Sequence, residues 1–167
     1  NSYKRINAPV TASGATWAPN TITYSGNNRT HMIRVPGPGR FELRLMDGAT
    51  NPYLLQAGIL AAGIDGIEKK RNPGKPVNVN MYEDGHKVKG AKKLPLTLEK
   101  ALSHLDKSKI LKDAFGKETI NSYIKLKNKE IKKYTSSGTK KIGFKGTKQS
   151  SKKSIITQWE KDNTLDC

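Results

Sequence analysis

The sequence predicts an α+β fold in which a short antiparallel pair of strands lies against helices. Two runs of alternating polar and apolar residues flank a Pro-Gly-Pro-Gly sequence at 36–39, which indicates two strands joined by a turn. An Asn-Pro pair at 51–52 then opens a long apolar run, and apolar residues recur at helical spacing between 98 and 134. Strands followed by a series of helices are typical of the α+β class.

The strands are expected at 30–35 and 40–45, because both segments alternate and both end at the Pro-Gly sequence. We predict a connection longer than the tight two-residue hairpin turns. Residues 9–28 are rich in Thr, Ser, Gly, Asn and Pro and read as loop or irregular strand.

The first predicted helix has the clearest start signal in the chain. Asn51 is a favourable N-cap and Pro52 fits the first helical position, and apolar residues recur at helical spacing as far as Ile67. Further apolar residues occupy the other faces, so we predict a helix that is buried nearly all round. Gly58, Gly63 and Gly66 would then let neighbouring elements approach closely.

The second half of the chain is predicted to be helical with a lysine-rich end. Residues 71–90 form a connection, and helices are expected near 98–105, 108–115 and 118–134. Residues 132–153 hold eight lysines and no acid, which predicts a mobile loop or insertion. We expect one domain with the parts 1–68, 69–131, 132–153 and 154–167.

Composition excludes several classes of protein. The chain has 167 residues and a net charge of +17, and its 34% of hydrophobic residues allow only a small core. Cys167 is the single cysteine, so an internal disulfide framework and a cysteine-built zinc site are excluded. The longest apolar stretch, 54–67, is shorter than the ~20 residues that span a bilayer. No secretory leader is visible, so we expect a cytoplasmic location without membrane partners.

Arginine and lysine are distributed unequally. Residues 1–68 carry five arginines and one lysine against four acidic residues, whereas the remaining 99 residues carry 25 basic residues, nearly all lysine, against 10 acidic ones. Arginine presents a rigid fork of donors that matches carboxylate and phosphate, whereas lysine more often provides solvated surface charge. The first part of the chain is therefore the candidate for anion recognition.

The strand at 40–45 places its charged residues on one face. Phe41, Leu43 and Leu45 alternate with Arg40, Glu42 and Arg44, so one face should be core and the other a charged row. The row is either a solvated surface with cross-strand ion pairs or a site where a carboxylate holds a divalent metal and arginines hold anionic groups. The second alternative would suit phosphoryl transfer, and Arg29 and Arg34 on the preceding segment favour it.

Other catalytic signatures are lacking. His31, His86 and His104 are scattered without metal-ligand spacing and read as surface or ordinary packing residues. No Gly-rich loop is followed by Lys-Ser or Lys-Thr, and Ser13 does not lie in a nucleophile elbow. The sequence supports neither a P-loop enzyme nor a serine hydrolase.

Several ordered blocks resemble the C-terminal catalytic part of glutamine synthetase. They cover residues 1–68 densely and the rest loosely, and their order and spacing are more specific than any single block. The blocks are Asn-Ser-Tyr-Lys-Arg at 1–5, Asn-Arg-Thr at 28–30, Ile-Arg-Val-Pro at 33–36, Arg-Phe-Glu-Leu-Arg at 40–44, Asp47, Asn-Pro-Tyr at 51–53 and Ala-Gly-Ile-Asp-Gly-Ile at 62–67.

The resemblance implies an activity and a role for each charged residue. Members of this family use ATP to phosphorylate the side chain of L-glutamate, and ammonia then displaces phosphate from the acyl phosphate. Glu42 would hold Mg²⁺ or Mn²⁺, Arg5 and Arg44 would bind glutamate, Arg34 and Arg40 would bind ATP phosphates, and the catalytic Arg29 would lie between ATP phosphate and substrate. Metal and arginine suit this chemistry, because both steps build negative charge on oxygen.

One departure concerns the amine. Typical members have a glutamate before the Ala-Pro that follows the first block, whereas Trp17 stands there in this chain. A Trp-Ala-Pro sequence is similar to relatives that join glutamate to methylamine or polyamines, so Trp17 is either an amine-site residue or a residue that packs the loop. Tyr82 falls near the adenylylated tyrosine of some members, but the surrounding residues match poorly and we interpret it as structural.

The resemblance also implies that the chain is a C-terminal fragment. The other metal ligands would lie upstream of Asn1, the fragment alone would be inactive, and the full-length protein would form a homo-oligomer of the double-ring type. A rival hypothesis from another class is a basic nucleic-acid-binding module, motivated by the charge and by a pI near 10.0. Against it, the lysine-rich end has few aromatic residues and no nucleic-acid-binding motif, so we expect no specific nucleic-acid partner.

Overall fold

The computed structural model describes residues 18–46, 48 and 50–136. Within these residues the chain forms a three-stranded sheet followed by four α-helices and one short 3₁₀ helix (Gly85–Lys87), which confirms the predicted α+β class. The strands are β1 (Tyr24–Ser25), β2 (Ile33–Gly37) and β3 (Arg40–Leu43). The helices are α1 (Pro52–Glu68), α2 (Leu98–Lys107), α3 (Lys109–Phe115) and α4 (Lys117–Ser136).

The sheet has the order β1-β2-β3, with β1 parallel and β3 antiparallel to β2. Gly37 pairs with Arg40, so only Pro38 and Gly39 form the turn. The prediction of a longer connection was therefore wrong. Gly39 has φ +76°, and proline followed by a residue with positive φ is the pattern of a type II turn. A register irregularity between Arg34 and Gly37 accommodates this turn in place of a primed one.

Helix α1 begins where its cap predicts. The side chain of Asn51 accepts a hydrogen bond from the backbone N–H of Leu54 at 3.0 Å. The prediction that α1 is buried nearly all round was wrong, because Leu60 is 64% and Ile67 79% exposed. Among the described elements, α1 packs mainly against α3. A side chain at Gly58 would come within 4.0 Å of Leu111, whereas the positions of the other two predicted close-approach glycines, 63 and 66, have no described atom within this distance.

The later helices also begin and end at local signals. The side chains of Thr97 and Ser108 cap α2 and α3, and Gly116 ends α3 with φ +83°. Helix α4 runs to Ser136, so the first five residues of the predicted lysine-rich loop are helical; the rest of it lies outside the described residues. Helices α2 and α3 both contact α4. The buried hydrophobic residues are Leu102, Ile120 and Tyr134 on α2 and α4, and Met81 in the connection between α1 and α2.

The apolar face of the hairpin is not a core face, contrary to the prediction. Phe41 is 62% and Leu45 41% exposed, and Leu43 between them is half-buried. On the opposite, charged face, the Arg34 and Arg44 side chains keep only 16% and 23% of their accessible surface, whereas Arg40 is exposed.

The connection between α1 and α2 runs back along the sheet. Its residues 77–81 lie beside β1, where the backbone N–H of Val77 donates to the Tyr24 carbonyl at 2.9 Å. Farther along, Thr21 forms an antiparallel bridge with Lys93. Among the described residues, no helix combines the length and apolar character needed to cross a membrane.

Candidate active site

The charged row predicted from alternation lies on one face of β2 and β3. The strand register places Arg34 opposite Glu42. Arg34 Nη1 lies 2.7 Å from one carboxylate oxygen of Glu42, and Arg44 Nη1 lies 3.0 Å from the other. Glu42 therefore bridges two guanidinium groups, one from each arm of the hairpin.

The two arginines hold Glu42 in its charged form. The hydrogen bond from Arg34 is the largest cause that lowers the pKa of the Glu42 carboxyl below its ordinary value. Desolvation opposes it, and the charges of Arg44 and Arg34 and the hydrogen bond from Arg44 lower the pKa further. At neutral pH the row therefore carries a carboxylate between two cations. The carboxylate is 41% exposed, so solvent screens its interactions, and they contribute less than those of a buried ion pair.

Arg34 and Arg44 differ in how fully their donors are used. Arg34 donates to Asn27 Oδ1 through Nε at 2.9 Å and also through Nη2, in addition to its bond to Glu42. Arg44 Nε is buried and has no acceptor among the described residues. Such a buried donor costs ~1–3 kcal/mol unless an acceptor reaches it, so Arg44 has an unused N–H to offer to an anionic group.

Arg29 and Arg40 are the exposed cations of the hairpin region. Within the described part of the chain neither side chain has a hydrogen bond or an ion pair. Arg40 begins β3 beside the turn, whereas Arg29 lies in the loop between β1 and β2. Both guanidinium forks are thus available to an oxygen-rich anion, in contrast to that of Arg34.

The loop that carries Arg29 is held from both sides. Asn28 Oδ1 accepts hydrogen bonds from the backbone N–H of Thr30 at 3.0 Å and from its hydroxyl at 2.7 Å. Asn28 Nδ2 and His31 Nε2 both bond the carbonyl of Val79, at 3.0 and 2.9 Å. Sequence reasoning missed these residues as site components: Asn28 was used only as part of a motif, and His31 was assigned to surface or ordinary packing.

A local signal for part of this arrangement was present. Asparagine commonly accepts from the backbone two residues ahead, so Asn28 before Arg29-Thr30 could have predicted the turn. Nothing in the sequence connects His31 with Val79, which lies 48 residues later.

Comparison with known proteins decides the family. The family described as "Glutamine synthetase, catalytic domain" matches residues 1–142. The chain belongs to the glutamine synthetase family. Relatives include a protein named glutamine synthetase from Rhizobium leguminosarum bv. phaseoli, 54% identical over 99% of this chain, and a glutamate–methylamine ligase from Methyloversatilis universalis, 44% identical over 80% of it.

Solved structures in this family have the same fold. A structure described as a GmaS/ADP complex covers 99% of this chain at 48% identity with a TM-score of 0.74, and an apo GmaS structure gives 0.68. The chain spans about a third of the length of these relatives, 34% of both the Rhizobium protein and the GmaS/ADP chain. Since the Rhizobium alignment covers 99% of the chain, it extends through most of the lysine-rich segment as well.

Glu42 is the candidate ligand for the divalent metal that the family resemblance implies. The described residues contain no group of three or more His, Cys, Asp or Glu side chains that could hold a metal ion. Glu42 offers hard carboxylate oxygens of the kind that Mg²⁺ prefers, but one carboxylate does not complete an octahedral site. Arg5, Trp17 and Asp47 lie outside the described residues. The roles assigned to Arg5 and Trp17, like those of the other charged residues, stay predictions.

Proposed function

We propose that the full-length protein containing this chain is an ATP-dependent ligase that joins ammonia to the side-chain carboxylate of L-glutamate. The observation that carries the proposal is the row in which Glu42 bridges Arg34 and Arg44. A surface row for solubility would expose its cations most, whereas here the two arginines are the more buried partners, and the Nε–H of Arg44 has no acceptor among the residues that the structure describes. Family membership supplies the chemistry that such a row would serve.

Each arginine has a role that suits its surroundings. Arg29 and Arg40, with free donors, would bind ATP phosphate oxygens, and Arg34 would contribute its remaining donors from a fixed position. Arg44, with its unused Nε–H, would bind glutamate together with Arg5. The γ-phosphoryl group passes to a side-chain oxygen of glutamate, ammonia attacks the acyl carbon, and phosphate leaves; arginines stabilise the charge that develops in both steps.

Glu42 would provide one ligand to Mg²⁺ or Mn²⁺, with the other ligands outside this chain. When bound, the metal would supply Lewis-acid neutralisation of phosphate charge. We therefore expect the chain by itself to be inactive. A homo-oligomer of the double-ring type and a cytoplasmic location stay predictions.

The second candidate is a ligase that joins methylamine to glutamate. It is supported by the 44% identity to the Methyloversatilis glutamate–methylamine ligase, which lies below the 53–54% identities to the Rhizobium glutamine synthetases but above the 37–39% identities to those of Methanococcus, Methanosarcina, Helicobacter and Staphylococcus. Trp17, in place of the usual glutamate, would offer an indole face to a methylammonium ion, worth ~0.5–2 kcal/mol.

Phosphate release by the full-length protein tests both candidates. The protein is given ATP, Mg²⁺ and glutamate with either ammonium or methylamine, and kcat/KM is compared for the two amines. A preference for ammonium supports the first candidate and a preference for methylamine the second. Release of phosphate with neither amine contradicts both.

A further inference from the structure

We propose that Asn28, Thr30 and His31, bonded to residues 77–81, form a clamp that positions Arg29 for the reaction. The inference rests on the proposed role of Arg29 in the ligase. The clamp residues are positioning residues, because their side chains bond one another, the hydroxyl of Thr23 and the backbone of 77–81.

Two of the three clamp residues meet on one carbonyl. Val79 O accepts from Asn28 Nδ2 at 3.0 Å and from His31 Nε2 at 2.9 Å. The third, Thr30, uses its hydroxyl in both directions: it donates to Asn28 Oδ1 at 2.7 Å and accepts from the backbone N–H of Met81 at 2.8 Å. The residues before and after Arg29 are therefore each tied to 77–81 and to each other.

The hydrogen-bond partners of His31 define which of its ring nitrogens carries the hydrogen. A carbonyl can only accept, so Nε2 carries the hydrogen toward Val79, and Nδ1 of the neutral ring accepts from the hydroxyl of Thr23 at 3.0 Å. The residue is completely buried. The neutral imidazole thus links 77–81 to the residue that precedes β1.

Segment 77–81 is itself anchored to the sheet. Val77 N–H donates to Tyr24 O at 2.9 Å, Ser25 Oγ donates to Asn78 Oδ1 at 3.1 Å, and the Met81 side chain is 95% buried. The clamp therefore fixes the loop between β1 and β2 relative to the sheet. Without it, this loop would be held only at its two ends. The backbone of Arg29 is held in place while its side chain stays exposed. This arrangement is expected of a preorganised side chain that binds an anion.

The test removes one hydroxyl and keeps the shape of the side chain. In the full-length protein, Thr30→Val loses both hydroxyl bonds, Thr30→Ser keeps them, and Thr119→Val, on the exposed surface of α4, is the matched control. We expect Thr30→Val to reduce kcat for phosphate release about 10- to 100-fold, since small displacements of a positioning group are costly. Thr30→Ser should stay within about threefold of the parent, and Thr119→Val should equal it.

A double-mutant cycle with Arg29→Ala separates positioning from general destabilisation. If Thr30 acts through Arg29, Thr30→Val has little further effect once Arg29 is removed. The same loss in both backgrounds would overturn the inference, as would unchanged kinetics in Thr30→Val. Hydrogen exchange at the Met81 amide should be faster in Thr30→Val than in Thr30→Ser, and equal protection in the two would also count against the clamp.

Failure of the proposed function can be distinguished from failure of the clamp. If the parent protein releases no phosphate with either amine, the ligase proposal fails, and the cycle is then measured on the Kd for ATP. Coupling between Thr30 and Arg29 in that Kd supports the clamp, and additive effects overturn it.

Discussion

Glu42 shows how one side chain can hold two guanidinium groups in place. Its two carboxylate oxygens receive Arg34 from β2 and Arg44 from the end of β3, so the carboxylate fixes the spacing of the guanidinium groups as well as their charge balance. Removing its charge would leave the repulsion between the two guanidinium groups uncompensated. It would also remove a candidate metal ligand.

We predict that Glu42→Gln in the full-length protein lowers kcat/KM for phosphate release by about 100-fold or more, because the carboxylate holds the two arginines, and would hold the metal, that stabilise the developing negative charge. Glu83→Gln, at an exposed turn position, is the control and should have parent activity. Activity of Glu42→Gln within threefold of the parent would be inconsistent with a role for this carboxylate.

The same substitution has a pH signature in the stability of the chain. Because the pKa of Glu42 is lowered from 4.5, the native state keeps the carboxylate charged where the unfolded state begins to bind a proton. The stabilisation by Glu42 is therefore present above pH 4.5 and is lost as the pH falls through the lower native pKa. In urea unfolding from pH 6 to pH 3, the free energy of unfolding of the parent should fall toward that of Glu42→Gln. A constant difference between the two free energies would contradict this prediction.

His31 gives a second, separate pH dependence. Burial lowers its pKa below 6.5, and the bond to Val79 opposes this only in part. The unfolded chain therefore binds more protons than the native one just below pH 6.5, so the native state is fully favoured above pH 6.5 and loses stability as the pH falls toward the native pKa. We expect His31→Gln to reduce the change of the urea midpoint with pH between pH 7 and pH 5.5, whereas the exposed His104→Gln keeps the pH dependence of the parent. Equal pH dependence in all three proteins would show that His31 is not its source.

At the level of elements, α1 owes its start to a single side chain. The Asn51 amide satisfies one of the N–H groups that the first turn leaves without a partner. We predict that Asn51→Ala costs ~0.5–2 kcal/mol in the free energy of urea unfolding, whereas Asn51→Asp or Asn51→Ser stays close to the parent. Asn121→Ala, on the exposed surface of α4, controls for loss of an amide away from a cap; the two alanine variants being equally stable would exclude the capping role.

At the level of the whole molecule, two apolar surfaces lie open within the described chain. One is a stripe on α1 that contains Tyr53, Leu60, Ile64 and Ile67, and the other is the outer face of the hairpin with Val35, Phe41 and Leu45. Contiguous exposed apolar surface of this kind marks a surface that packs against something else. In relatives three times as long, the remaining polypeptide is the available partner.

We predict that the isolated chain binds a hydrophobic dye and self-associates, and that the pair Leu60→Lys and Ile67→Lys reduces both effects while circular dichroism keeps its helical signal. In the full-length protein the same pair should lower the free energy of unfolding by ~3 kcal/mol or more, because each buried aliphatic side chain contributes ~1.5–3 kcal/mol. Lys129→Ala on α4 serves as the surface control; a full-length pair variant as stable as the parent would show that the stripe stays in water.

The sequence by itself determined the features that depend on neighbours within a few residues. The cap at Asn51, the place (though not the length) of the turn around Gly39, and the alternation that puts Glu42 beside Arg44 all depend on one to four positions, and the structure contains each of them. The family could also be identified from ordered blocks of residues, since the comparisons bear it out.

Only the tertiary structure decided the rest. The pairing of Arg34 with Glu42 depends on the strand register, and the clamp joins residues about 50 positions apart along the chain. Burial was the property that pattern predicted worst: the apolar residues of α1 and of the hairpin are suited to a core, but exposure depends on what covers a surface. Periodicity shows which side chains share a face, whereas the packing of distant segments decides whether that face meets protein or water.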